Sequence, residues 1–129
     1  MLAIIDAVYI TAWVKALCFT WLIEIGLGVF VLGFSTPAAT RPSVWMRLAL
    51  LFLASGLTHP FVWFFFPFIG LDYLPAMILA ELFAVVVETG VYFFGVKGLG
   101  LERALATSLL LNGASLGFGL VVRHFWGLV

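Results

Sequence analysis

Four long apolar stretches, Ala16–Phe34, Leu48–Ile69, Pro75–Val96 and Ala104–Val122, are separated by short breaks that hold most of the charges and turn formers. A bilayer core about 30 Å thick needs roughly 20 apolar residues per helix, so each stretch is long enough to span it. The first break, Ser35–Ser43, is the clearly polar loop. The second, around Gly70–Tyr73, and the third, Lys97–Arg103, are short enough to force antiparallel neighbours. The pattern predicts an all-α integral membrane protein of four transmembrane helices in a single domain spanning residues 1–129.

Met1–Val14 is also apolar but contains Asp6, has no basic leading segment and is not followed by a clear cleavage site, so it reads as retained. It is expected either to lie in the interface as a short amphipathic helix or to extend the first span, with Lys15 reaching the headgroups.

A second regularity lies within the spans. Displacing the chain by 57 residues aligns Leu48–Phe61 with Leu105–Phe118, with five identities in fourteen positions. About two would arise from composition, because spans use few residue types. Ser55-Gly-Leu-Thr58 then falls on Asn112-Gly-Ala-Ser115, and Glu24 falls on Glu81. Two crossings per unit predict two parallel repeats of a helical hairpin, related by an axis along the membrane normal. Gly26, Gly28, Gly56, Gly113, Ser115 and Gly117 are expected to let helix backbones approach closely.

Composition agrees with a lipid solvent. The chain is 65% hydrophobic and 9% charged, and its mean hydropathy is +1.26. A soluble domain of this length could not bury that much apolar surface. Six basic residues balance six acidic ones, so nothing points to nucleic acid. The single cysteine, Cys18, can form no intrachain disulfide and reads as a small apolar packing residue. Arg41, Arg47, Lys97 and Arg103 share one face, against Lys15 and Arg123 on the other, and the positive-inside rule then places both termini outside. The composition points to a bacterial inner membrane.

Tryptophans 13, 45 and 126 fall near span ends, as an interfacial belt requires, whereas Trp21 and Trp63 lie deeper. The run Trp63–Phe68 reads as lipid-facing surface or filler between helices.

The candidate chemistry lies in the polar residues at membrane depth. Glu24, Glu81 and Glu88 fall inside spans, where an ionised carboxylate costs about 2–3 kcal/mol or more. Glu81 and Glu88 are two helical turns apart, on one face and about 10 Å apart along the axis. Ser108, Asn112 and Ser115 form a similar stripe, and Ser55, Thr58 and His59 another. Pro60 removes one helical hydrogen bond and is expected to kink its span, freeing a carbonyl beside the imidazole. Glu24, His59, Glu81, Glu88 and Asn112 are therefore the candidate transport or ion-binding residues, with Ser55, Thr58, Ser108 and Ser115 as secondary polar lining.

The leading expectation is an oligomeric transporter or channel for protons, a cation or a small solute. The alternative is an accessory subunit whose polar groups dock on partner membrane helices. An enzyme acting on lipid is less well supported, since no acid accompanies Arg41 and Arg47 on their loop. No motif implies a cofactor. One histidine and three acids without ligand spacing assign no metal, and His124 beside Arg123 suits an interfacial place.

Overall fold

A computed structural model describes residues 5–126 of the chain, without the side chain of Trp126. Four helices, α1 (Ala7–Ser35), α2 (Val44–Phe64), α3 (Tyr73–Gly95) and α4 (Leu101–Trp126), account for nearly all of it. All four are long and apolar enough to cross a membrane. They form an antiparallel bundle in which each helix packs on its two neighbours, α1 on α2 and α4, α3 on α2 and α4. Helices α1 and α3 thus face each other across the bundle, as do α2 and α4.

The helix ends follow local chemistry. Asp6 caps α1 by accepting the Tyr9 amide at 2.8 Å, and Ser43 caps α2 by accepting that of Met46 at 3.2 Å. With Asp6 as its cap, α1 runs unbroken for 29 residues, about 43 Å at the α-helical rise. There is accordingly no separate interfacial helix among the described residues. The N-terminal segment from Ala7 instead extends the first span, and Met1–Ile4 lie outside the described residues.

Helix α2 begins four residues before the expected boundary, because Ser43 can cap it there, and ends five residues early. It passes through Pro60 and stops at Phe64. Pro67 has no amide to offer the Trp63 carbonyl, and the Tyr9 hydroxyl donates to that carbonyl instead, at 2.5 Å. Helix α4 begins three residues early and continues past Arg123, whose long side chain can reach polar surroundings from a helix end.

The surface is apolar. Phe94 is 86% exposed, and Phe30, Phe34, Trp45 and Val86 are similarly bare, as lipid contact requires. Cys18 is also exposed, so it lies on the bundle surface rather than packed within it. Trp13 packs edge-on against Phe64, and Trp21 stacks on Phe52. Trp126's placement in an aromatic belt lies outside the described residues.

The loop end of the bundle, which holds the α1–α2 and α3–α4 connections, is closed. Leu32, Leu51, Tyr92, Val96, Leu99 and Leu111 form its packed core. Gly28 permits this closure, since a Cβ there would collide with Leu51 and meet Leu111 at 3.0 Å. Gly26, Gly113 and Gly117 have no neighbour within 4 Å, and Gly56 only Trp21 at 3.8 Å, so these glycines do not bring helices together in this bundle. Small size marks both kinds of site; only packing separates them.

Polar caps complete this end. The Arg47 guanidinium donates to the Val29 carbonyl, and Arg103 donates to that of Ser35 at 2.9 Å, so two cations serve the C-terminal part of α1. Gly98 and Gly100, with φ of +81° and +72°, make the tight turn into α4.

Candidate functional site

At the middle of the bundle, where the apolar core ends, two glutamates face inward. Glu24 on α1 and Glu88 on α3 are each only 1% exposed. Glu24 receives the Ser55 hydroxyl on one carboxylate oxygen and the Ser115 hydroxyl on the other, the latter at 2.8 Å. Glu88 receives the Thr58 hydroxyl at 2.9 Å on Oε1 and the Asn112 amide at 2.6 Å on Oε2. Each carboxylate is thus held by one donor from α2 and one from α4. These contacts tie all four helices together at membrane depth.

The donors are themselves positioned by backbone. Asn112 donates its second amide hydrogen to the Ser108 carbonyl at 3.0 Å, and Ser108 donates its hydroxyl to the Val85 carbonyl on α3, also at 3.0 Å. Ser108 therefore acts as a strut between α4 and α3, at one remove from the carboxylates.

The four donors are the residues that the 57-residue displacement aligns, Ser55 with Asn112 and Thr58 with Ser115. The acceptors pair differently. Hydrogen bonding matches Glu24 with Glu88, not with Glu81. Ser55 lies 31 residues beyond Glu24, and Asn112 only 24 beyond Glu88. The difference is two helical turns, which preserve the face that a side chain occupies. At the resulting offset of 64, Glu24-Ile-Gly26 with Phe30 matches Glu88-Thr-Gly90 with Phe94. This is the signal by which Glu88 could have been matched to Glu24.

Glu81 occupies a different position. It is half-buried, and it makes no hydrogen bond or ion pair among the described residues. It lines a cavity of about 660 Å³ that also reaches Glu24, Glu88 and His59. The cavity's outer wall contains Tyr9, Phe66, Leu71, Tyr73 and Arg123, all near the end of the bundle opposite the packed core. It is therefore a vestibule that reaches that end of the bundle, where its mouth lies. Its floor is the pair of hydrogen-bonded glutamates, and Glu81 stands about two turns nearer the mouth.

His59 lies on the wall, 9% exposed. Its Nε2 is 3.4 Å from the Thr20 hydroxyl, and its Nδ1 is buried without a partner. Thr20 was not singled out by sequence reasoning, although it stands one turn from Glu24 on the same face of α1. Tyr92 was likewise missed. It lies one turn below Glu88 in the packed core, with its hydroxyl buried and unpartnered.

All five candidate residues, Glu24, His59, Glu81, Glu88 and Asn112, thus line one cavity, together with Thr58 and Ser115. Ser55 reaches it through Glu24. No lysine or arginine pairs with any of the three acids, and no three of His, Cys, Asp and Glu cluster as a metal ligand set among the described residues. Fold and site together define an integral membrane four-helix bundle with carboxylates in its interior. No protein-family model matches the chain, and neither do curated proteins or solved structures.

Proposed function

We propose that this chain is a membrane transport protein that takes a cation or protons into the vestibule and binds them at its carboxylates. One observation carries the reading. Three carboxylates reach a single cavity at membrane depth, and among the described residues no lysine or arginine pairs with them, Arg123 standing in the outer wall. Neutral hydroxyl and amide donors orient Glu24 and Glu88 but bring no opposite charge. Ionised carboxylates at this depth are costly, so the counter-charge must come from elsewhere, as a proton or a bound cation.

In this reading Glu24 and Glu88 are equivalent members of two duplicated hairpins, and the seven additional residues between Glu24 and Ser55 are four in α1 and three in the connection. Glu81 receives the cargo first because it stands nearest the mouth. The packed core around Leu32, Leu51 and Leu111 closes the far side, so passage requires that core to open or a second conformation to form. A bundle of four helices encloses little space by itself, which favours a homo-oligomer. The positive-inside bias orients the packed end toward the cytoplasm and the mouth outward.

The test is flux in proteoliposomes under imposed pH and alkali-cation gradients, for wild type, Glu81→Gln and Glu88→Gln. Loss of flux in either variant, with elution and melting unchanged, supports the assignment. Unchanged flux in both overturns it. If folded wild-type protein carries nothing, the bundle is better read as an accessory subunit, and a stoichiometric partner should copurify with it.

A further inference from the structure

We propose that the vestibule's ligand is an organic ammonium, an amine cation with an apolar body, rather than a bare inorganic ion. This rests on the transport reading above and names its substrate class. Three features of the cavity carry it.

The first is size and wall. About 660 Å³ lies within the range of pockets that enclose drug-sized molecules, whereas a dehydrated metal ion needs only a cage of ligands. Phe19, Val62, Trp63, Phe66, Met77 and Leu116 make most of the wall apolar. Such a wall rewards a ligand that covers it with carbon. It offers little to a hydrated ion, which would have to be surrounded by water held against aromatic rings.

The second feature is the arrangement of open acceptors. Glu24 and Glu88 already receive two donors each, whereas Glu81 receives none among the described residues. Its half-buried carboxylate is therefore available to N–H donors of a cation, in charge-assisted hydrogen bonds.

The third is the aromatic lining. Trp63 and Phe66 stand on the mouth side of His59, and the His59 and Trp63 rings stack at 6.2 Å. Faces of this kind attract an ammonium approaching the carboxylate and then hold its apolar body. Arg123 at the mouth does not cancel this attraction. It is exposed, so water and headgroups screen it, while the half-buried Glu81 is screened less.

The test uses three probes of one shape, 4-phenylbutylammonium, 4-phenylbutanol and 4-phenylbutyrate, titrated calorimetrically into full-length protein in nanodiscs. The ammonium should bind about ten-fold or more tightly than the alcohol, the ratio expected of one hydrogen bond to a charged group. The carboxylate should bind least. Glu81→Gln should remove the ammonium's advantage while leaving alcohol binding unchanged. Leu116→Trp, which narrows the cavity without altering a carboxylate, should weaken both ammonium and alcohol and keeps the test open if Glu81→Gln does not fold.

Equal binding of ammonium and alcohol, or an ammonium preference that survives Glu81→Gln, overturns the proposal. Flux of protons or alkali cations that depends on Glu81, with no ammonium binding, also overturns it but leaves the transport reading in place. Ammonium binding that depends on Glu81, without flux of any cation, upholds the ligand class and overturns transport.

Discussion

The Asn112 amide donates to Glu88 at 2.6 Å, joining α4 to α3 at the level where the apolar core gives way to the vestibule. The residue at each end is buried. Removing the donor leaves Glu88 with Thr58 alone. Asn112→Leu should destabilise the bundle by about 1–2 kcal/mol, toward the upper end for interhelical hydrogen bonds because the acceptor is a carboxyl group. Reversible unfolding in mixed micelles measures it. A change below about 0.3 kcal/mol would mean that this bond does little to hold the bundle.

Two glycines on α1, two residues apart, should respond oppositely. A side chain at Gly28 collides with Leu51 and crowds Leu111, so Gly28→Val should cost about 1–3 kcal/mol and loosen the closed end. Gly26 has open space around it, and Gly26→Ala should stabilise the helix by about 0.5 kcal/mol. The same unfolding measurement checks both. If Gly26→Ala is the damaging change, its face is covered by another chain.

Tyr92 holds a hydroxyl inside the apolar core without a partner. A buried polar group in that condition subtracts from stability, so Tyr92→Phe should leave the melting temperature unchanged or raise it, by about 1 kcal/mol of stability at most. A clear loss of stability would show that the hydroxyl is engaged, and would make it a candidate step between Glu88 and the closed face.

Much of this was readable from residue order. The four spans followed from apolar length against bilayer thickness, and their antiparallel arrangement from the shortness of the connections. The inward stripes were legible because helical spacing is fixed: Ser55 and Thr58, like Asn112 and Ser115, share a face whatever the helices pack against. Boundaries were less legible. Hydropathy counts Phe65–Ile69 as span, yet α2 stops at Phe64, since hydropathy is blind to the missing amide of Pro67.

The roles of the three acids were not legible in the same way. Equal displacement along the chain matches Glu24 with Glu81, but their hydrogen-bond donors match Glu24 with Glu88, because α1 runs four residues further past its glutamate and its connection is three residues longer. Nor does sequence distinguish Gly28 from Gly26.

By itself, then, the sequence determined that this chain lives in lipid, crosses it as four helices and carries glutamates at membrane depth, because these depend on transfer energies and helical periodicity, which are local. Only the tertiary structure decided that two of those glutamates are bound by donors from α2 and α4 while the third, without a hydrogen bond among the described residues, stands in a vestibule beside them. Those facts depend on how far one helix slides and rotates against another, and that is set by the packing of side chains such as Leu51 into the space left by Gly28.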